Sequence, residues 1–326
     1  ILTEIEALPK SLLFWRSSTH FIGGLGVIVF LLMILPDSSP AKLRLTHLEL
    51  SSLSKEGYRY KTSTITRVMV SVYIGLTIVE TLLLWAAGMS LFDAVNHAFS
   101  TVATGGFSTK NTSVMYFDST SIDIIITVFM ALSAMHFGVI FAIVAGRSFK
   151  PLKHSVTKYY LGIIAVCSII IALSLKTQGG YESWGGALLD STFQTVSYLT
   201  TTGFGQADNA MWPLLAKTIL IFAAMHCGCA GSTTGGIKAD RMFIALKAIH
   251  GDFLKRLHPS SLFRTRVGGK VLNDSTVSSV FLYIVLYILI IFISFILLLI
   301  CGVEIGDAFS GTISSLGNVG PGTGTL

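Results

Sequence analysis

Three short glycine-containing runs constrain the fold of this chain more than any other feature. Each follows a short apolar segment, and each short segment follows a long one. An extended backbone with a glycine in its middle can turn successive carbonyl oxygens toward a bare cation and replace its hydration shell. The runs lie at 104–108, 199–205 and 318–322. Their recurrence predicts backbone loops that line a path for an ion.

Composition places these runs in a membrane. Of the 326 residues, 52% are hydrophobic and only 12% are charged, and the mean hydropathy is +0.72. Soluble domains carry about 25% charged residues. The four cysteines lie in apolar runs, which favours buried thiols over a disulfide framework. The pair Cys227-x-Cys229 is too tightly spaced for a metal site and has no second pair to complete one.

The apolar segments fall into two length classes. A helix needs about 20 apolar residues to cross a bilayer core. Five segments reach or approach that length, and a sixth ends in Gly and Thr: 12–35, 68–88, 122–145, 159–175 and 277–301, then 212–230. The short segments cover only about half of the bilayer: 91–102, 187–199 and 305–316. The sequence therefore repeats a unit of long helix, short helix, loop and long helix, at 68–146, 157–247 and 277–326.

Lysine and arginine predict the orientation. Of the 23 basic residues, 18 lie in the stretches 36–67, 147–158 and 236–275, and membrane proteins keep such loops cytoplasmic. The glycine runs then lie near the outer face. The excess of basic over acidic residues, 23 against 17, is explained by topology, so we expect no nucleic-acid partner. Apolar and basic residues alternate in 239–275, which favours contact with the membrane surface or a partner.

The second run matches, in residue type, the potassium-channel filter pattern T-V-G-Y-G at 201–205. A single copy could be a simple re-entrant turn held by glycine. Three copies, each at the partly negative C-terminal end of a short helix, favour a filter. We expect the two phenylalanines to pack behind it. The candidate residues, whose backbone would bind K⁺, are Thr104, Gly105, Gly106, Phe107, Thr201, Thr202, Gly203, Phe204, Asn318, Val319, Gly320 and Pro321.

A run of small residues at 228–236 ends the sixth apolar segment. It is not a phosphate-binding P-loop, because no Gly-Lys-Ser/Thr follows at the required spacing. Close helix packing would explain Gly228 and Gly231 but not nine such residues in succession. An unwound helix here would place mobile backbone in the pore. The candidate gating residues are Gly228, Gly231, Ser232, Thr233, Thr234, Gly235, Gly236 and Lys238.

Several ionisable residues lie at membrane depth, where charge is costly. We expect Glu80 either to pair with Arg16 or to be protonated, and His136 and His226 to be hydrogen-bonded helix-packing residues. An embedded enzyme is the competing class of function. It would need convergent catalytic groups, and neither H-E-x-x-H nor G-x-S-x-G occurs.

Together these motifs resemble the Trk/Ktr/HKT superfamily of potassium transporters. Residues 14–26 look like the second helix of the first repeat in that family, and 97–108, 200–205 and 316–322 look like its second, third and fourth pore segments. Residues 228–238 resemble its broken helix, which forms a gating loop under the filter.

The resemblance implies an all-α membrane protein with tandem membrane–pore–membrane repeats around a single potassium-channel-like pore. It further implies potassium as the substrate, no cofactor on this chain and no enzymatic activity. We expect a location in the cytoplasmic (inner) membrane and contact with membrane lipid. Expected partners are a second copy, forming a homodimer, and cytoplasmic nucleotide-binding Rossmann-type regulatory subunits. A sodium-conducting or mixed sodium/potassium relative is the alternative.

Mapped onto the family, the chain divides into six parts. These are the second helix of repeat 1 (1–36), a cytoplasmic loop (37–67), repeat 2 (68–147), repeat 3 with a broken last helix (157–250), a second cytoplasmic loop (251–275) and an incomplete repeat 4 (276–326). The family has a further filter before the first part and a further helix after the last. We therefore expect a chain truncated at both ends.

Overall fold

The computed structural model describes residues 4–26, 62–258, 264–268 and 270–322. The loop expected at 37–67 lies outside the described residues as far as position 61, as do the last four residues of the fourth repeat. The described helices, in chain order, are α1 Lys10–Leu25, α2 Thr62–Ala86, α3 Leu91–Val102, α4 Thr120–Ser133, α5 Phe137–Gly146, α6 Ser155–Gln178, α7 Trp184–Leu199, α8 Leu214–Met225, α9 Ala239–Leu257, α10 Asp274–Ile300 and α11 Ile305–Gly317. A two-stranded hairpin, β1 Arg266–Val267 and β2 Lys270–Val271, precedes α10.

Three of the described helices are long and apolar enough to cross a membrane. They are Arg67–Ala86 within α2, Ser155–Gln178 (α6) and Asp274–Ile300 (α10). Only 11% of the α10 span is buried inside the chain, which leaves apolar side chains around most of its circumference. A helix that is apolar on all sides needs lipid or another protein around it. These long apolar helices thus indicate a membrane protein.

The expectation of one continuous helix over 122–145 is wrong. Helices α4 and α5 meet at a bend of 105°. At the break, Nδ1 of His136 accepts a hydrogen bond from the Gly138 amide at 2.9 Å and caps α5. The Ala134 carbonyl accepts from the Cys229 amide at 2.8 Å, and the Phe137 amide donates to the Gly231 carbonyl at 3.2 Å. The backbone groups released by the bend therefore find partners in the small-residue run.

The second break, after α8, lies where the sequence predicted a broken helix. Both breaks carry the same short sequence, Ala-Met-His-x-Gly, at 134–138 and at 224–228. The two histidines are hydrogen-bonded there, as expected, since Nε2 of His226 lies 2.7 Å from the Tyr159 hydroxyl and His136 caps α5. The repeated sequence was the available signal for the first break.

The short helices α3, α7 and α11 lie among the long ones. Ser90 caps α3 by accepting from the Asp93 amide at 3.1 Å, and Ser183 caps α7 by accepting from the Gly186 amide at 3.0 Å. Helix α3 packs against α1 and α2, α7 against α4, α6 and α8, and α11 against α8 and α10. Val102 and Leu199, which end α3 and α7, and Ile313 near the end of α11 belong to one buried apolar core. The ends of the three short helices therefore converge inside the protein.

The cysteines depart from expectation at one position. Cys167, Cys227 and Cys229 are buried free thiols, as predicted, whereas Cys301 is exposed. It lies at the C-terminal cap of α10, next to the exposed Ile300. An apolar run does not ensure burial inside the chain when the helix that carries it faces outward.

Adjacent glycines in α1 provide a matched test of the packing between α1 and α3. A Cβ at Gly24 would lie 2.7 Å from Cα of Ala103 and 2.8 Å from the Tyr73 hydroxyl, whereas one at Gly23 would have no atom within 4 Å. Overpacking costs about 1–3 kcal/mol. We expect Gly24→Ala to lower the midpoint of thermal denaturation in detergent by several degrees, and Gly23→Ala to leave it unchanged or raise it. Equal midpoints for the two variants would contradict the packing.

Candidate functional site

The loops that follow α3, α7 and α11 share one backbone conformation. In each, one residue is left-handed although it is not glycine, and the residue two positions later is a left-handed glycine. The φ values are 53° at Thr104, 55° at Thr201 and 57° at Asn318, followed by 70° at Gly106, 80° at Gly203 and 105° at Gly320. Left-handed non-glycine residues are uncommon, so this shared conformation marks three equivalent loops.

The three loops are also held to their helices in the same way. The Ser100 carbonyl accepts from the Gly105 amide at 2.8 Å, and the Ser197 carbonyl accepts from the Thr202 amide at 3.0 Å. The Ser314 carbonyl accepts from the Val319 amide at 2.8 Å. These serines are spaced 97 and 117 residues apart, as the glycines are. In each case a carbonyl near the C-terminal end of the short helix therefore accepts a hydrogen bond from an amide of the loop that follows.

The loops touch one another in chain order. A Cβ at Gly106 would overlap the carbonyl oxygen of Thr202, and a Cβ at Gly203 would overlap that of Val319. At Gly320 an added Cβ has no described atom within 4 Å, so only its φ favours glycine there. The twelve residues that the sequence singled out are thus brought together in one group of abutting loops.

The two loop phenylalanines have different surroundings. Phe204 is fully buried and stacks on the His97 ring, with centroids 5.7 Å apart. Phe107 is half-buried. It stacks on the His20 ring at 3.7 Å and lies 4.0 Å from the Arg16 guanidinium. Both rings pack against side chains from other helices.

The expected pairing of Arg16 with Glu80 is not formed. Arg16 donates instead to the Ser108 carbonyl at 3.4 Å and lies over Phe107. Glu80 is fully buried, and neither carboxylate oxygen has a hydrogen-bond partner in the described part of the chain, although the Thr101 side chain lies beside it. The other possibility, a protonated Glu80, stays a prediction.

The small-residue run between α8 and α9 contacts the ends of all three short helices. The Thr233 hydroxyl donates to the Val102 carbonyl, at the end of α3, at 3.1 Å. The Gly235 amide donates to Oγ1 of Thr201, after α7, at 3.0 Å. A Cβ at Gly235 would overlap the Gly317 carbonyl oxygen at the end of α11. The run is therefore packed directly against the place where the three loops begin.

Hydrogen bonds within the run hold it in a compact form. The Ser232 hydroxyl donates to the Cys229 carbonyl at 2.6 Å and lies 3.0 Å from the Thr234 hydroxyl. Lys238, which precedes α9, folds back and donates to the Thr234 carbonyl and, at 3.0 Å, to its hydroxyl.

Glycine is required at both ends of this run. Gly231 and Gly236 have φ values of 75° and 53°, and a Cβ at Gly228 would lie 2.6 Å from the Ala134 carbonyl oxygen. The eight predicted gating residues thus form one continuous structure.

Among the residues that the structure describes, no three His, Cys, Asp or Glu side chains are placed to hold a metal ion together.

Comparison with known proteins gives one consistent result. The family described as TrkH, cation transport protein, matches residues 1–173 and 180–326. The Trk system potassium uptake protein TrkH of Salmonella typhimurium is 33% identical over 327 residues, covering 100% of this chain and 68% of that protein. The Trk system potassium uptake protein TrkG of Escherichia coli is 30% identical over 325 residues, covering 99% and 67%.

A solved structure agrees. The crystal structure of the potassium transporter TrkH from Vibrio parahaemolyticus superposes with a TM-score of 0.87 at 32% identity, covering 100% of this chain and 67% of that one. The chain belongs to the TrkH family of cation transport proteins. It is a Trk-type, multi-pass protein of the inner membrane, and members of its family are transporters rather than enzymes.

Thr233 provides a direct test of the docked small-residue run. Its hydroxyl donates to carbonyls of two other elements, Val102 and Ser133, whereas the exposed Thr218 hydroxyl bonds only within α8. A hydrogen bond contributes about 1 kcal/mol. We expect Thr233→Val to speed hydrogen–deuterium exchange across 230–236 several-fold, measured by mass spectrometry, and Thr218→Val to leave it unchanged. Unchanged exchange in both variants would contradict the docking.

Proposed function

We propose that this chain is the pore-forming subunit of a potassium uptake system. The observation that carries the proposal is the group of three abutting loops with one shared backbone conformation, each at the C-terminal end of a short helix. The relatives at 30–33% identity are named as potassium uptake proteins, which supports the same substrate here.

In this proposal K⁺ is bound by backbone carbonyls of 104–107, 201–204 and 318–321. Abutting loops cannot easily move apart or together, so they would keep their oxygen atoms at fixed separations. The C-terminal ends of α3, α7 and α11 add partial negative charge near the ion.

Ion selectivity tests this proposal through two glycines of equal backbone strain. Gly203 and Gly180 have φ values of 80° and 73°, but only at Gly203 would a side chain meet a neighbouring loop. For protein reconstituted in vesicles, we expect Gly203→Ser to reduce the ratio of rubidium to sodium uptake about tenfold or more, equivalent to about 1.4 kcal/mol. Gly180→Ser should keep the ratio of the unaltered protein.

Two results would count against the proposal. A Gly203→Ser protein that assembles normally and stays as selective as the unaltered protein would contradict the filter. Sodium uptake equal to or above rubidium uptake in the unaltered protein would favour the alternative of a sodium-conducting or mixed relative.

We further propose that 228–238 acts as a gate beneath the filter. Its support is the set of hydrogen bonds that join it to the ends of the short helices, through Thr233 and Gly235. Its described bonds to the ends of α3 and α7 come from the Thr233 hydroxyl and the Gly235 amide, whereas the hydroxyls of Ser232 and Thr234 bond within the run. Breaking the bonds to α3 and α7 would allow the run to leave the path, while the bonds from Lys238 to Thr234 keep the run itself compact.

Replacement of Ser232, Thr233 and Thr234 by glycine tests the gate without shortening the chain. We expect rubidium uptake to rise several-fold while the rubidium-to-sodium ratio stays constant, because the filter is untouched. The ratio serves as the internal control. Unchanged rubidium uptake would contradict the gate. A fall in the rubidium-to-sodium ratio as large as the rise in uptake would contradict a gate that is separate from the filter.

We also propose that the chain works as a homodimer docked on cytoplasmic nucleotide-binding Rossmann-type subunits, as the resemblance implies. Helix α9 supports a docking surface of this kind. Its exposed side chains combine apolar Leu246, Ile249 and Phe253 with basic Lys255 and Arg256. Such a surface suits lipid head groups or an acidic partner.

Charge reversal on this side tests the docking surface. We expect reversal of Arg256, Arg264 and Arg266, all exposed, to weaken co-purification of the regulatory subunits while leaving basal ion uptake intact. The same reversal at the exposed Lys150 is the control. Undiminished binding by the triple variant would place the docking surface elsewhere, and a monomer by mass measurement in mild detergent would contradict the dimer.

A further inference from the structure

Each short helix carries an aspartate at the same distance from its filter glycine. Asp93, Asp190 and Asp307 stand 13 residues before Gly106, Gly203 and Gly320. The hydrogen bonds of Asp93 and Asp190 show that this spacing places each aspartate beside the segment that follows its filter loop.

In the first described loop, the Asp93 carboxylate joins the helix to the segment beyond the filter. Its Oδ1 accepts from the Thr109 hydroxyl at 2.6 Å, and Thr109 stands three residues after Gly106. Its Oδ2 accepts from the Ser90 hydroxyl at 2.7 Å. Thr109 is buried, with 4% of its surface exposed.

In the next loop, Asp190 makes the same connection. Its Oδ1 accepts from Nε2 of Gln206 at 3.0 Å, and Gln206 stands three residues after Gly203. Its Oδ2 accepts from the Tyr181 hydroxyl at 2.7 Å. Burial and the hydrogen bond to Asp190 raise the pKa of Tyr181, so that hydroxyl keeps its proton and donates. Gln206 also donates to Oδ2 of Asp123 in α4 at 3.1 Å.

A second link runs beside each of these. The residue four positions after each aspartate also bonds beyond the filter: Nε2 of His97 lies 2.9 Å from the Ser108 hydroxyl, and Nε2 of Gln194 donates to the Ala207 carbonyl at 3.1 Å. The returning segment is thus fastened to its helix at two points in both loops.

Helix capping does not account for these carboxylates. Asp93 is the third residue of α3 and lies close enough to its start to assist the Ser90 cap. Asp190 is the seventh residue of α7, whose cap is Ser183. What the two share is the bond across the filter loop. A carboxylate suits this position because its two oxygens accept from two donors at once, and such charge-assisted bonds are the stronger kind.

We propose that Asp93 and Asp190 are positioning residues for ion selectivity. Each one hydrogen-bonds the far end of its filter loop to the short helix that precedes that loop. Loop 103–109 and loop 200–206 are each held at the near end by a serine carbonyl, Ser100 or Ser197, and at the far end by an aspartate. A loop fixed at both ends keeps its carbonyl oxygens at set distances, which is what discrimination between ions of different size requires. This inference rests on the proposed function. In the third repeat, the residue three positions after Gly320 is Thr323, which lies outside the described residues.

The test uses a double-mutant cycle in reconstituted vesicles. We expect Asp190→Ala and Gln206→Leu each to lower the rubidium-to-sodium uptake ratio about tenfold, and the double variant to lower it no further, because each single change already removes the link between Asp190 and Gln206. Thr109→Val, which keeps the side-chain shape, should do the same for the Asp93 link. Asp190→Glu should restore part of the ratio. The control is Asp118→Ala, which removes an exposed carboxylate.

The outcomes separate this inference from the proposed function. Ratios within twofold of the unaltered protein for Asp190→Ala and Thr109→Val, while Gly203→Ser lowers the ratio, would overturn the positioning role and leave the filter standing. Additive losses in the double variant would also overturn it. If Asp190→Ala fails to assemble, Thr109→Val and Gln206→Leu decide the question by the same criterion.

Discussion

This structure depends on one constraint: backbone amides and carbonyls that lie outside regular helices must find hydrogen-bond partners within the protein, because lipid offers none. A loop at membrane depth is stable only if protein groups satisfy its amides and carbonyls. Here the last carbonyls of α3, α7 and α11 bond the amides of the loops that follow. The loops then abut one another, so closely that Gly106 and Gly203 admit no side chain. In the proposed function the backbone oxygens of these loops would line the ion path, and the close contact of the loops requires three helices to end in one place.

The two helix breaks follow from the same constraint. The bend between α4 and α5 frees backbone groups at Ala134 and Phe137, and the run after α8 supplies their partners through Cys229 and Gly231. That run in turn bonds to Val102 at the end of α3 and to Thr201 after α7, through Thr233 and Gly235. The breaks and the three loops therefore form one connected hydrogen-bond system, and the proposed gate would have to exchange these partners in order to move.

Much of this architecture could be predicted from the sequence, because apolar length and glycine spacing are local properties. Those patterns predict the short helices and the three loops, whereas the break after α8 follows from its run of small residues together with the family resemblance. The break between α4 and α5 was missed, since its residues are apolar enough to read as a continuous span, and only the repeated Ala-Met-His-x-Gly marks it. The predicted Arg16–Glu80 pair was wrong because helical position alone does not fix which way a long side chain turns, and Arg16 lies over Phe107 instead.

The links from Asp93 to Thr109 and from Asp190 to Gln206 were also missed. Their constant spacing is readable, but its meaning depends on a chain reversal that only the folded loop shows.

The most direct test of the central claim is the location of bound ions in the protein. Crystals grown with rubidium or thallium allow these ions to be placed by anomalous scattering. The account predicts peaks enclosed by the backbone of 104–107, 201–204 and 318–321, in line with one another and on the filter side of 228–236. Anomalous peaks at other positions, with none between the three loops, would contradict it.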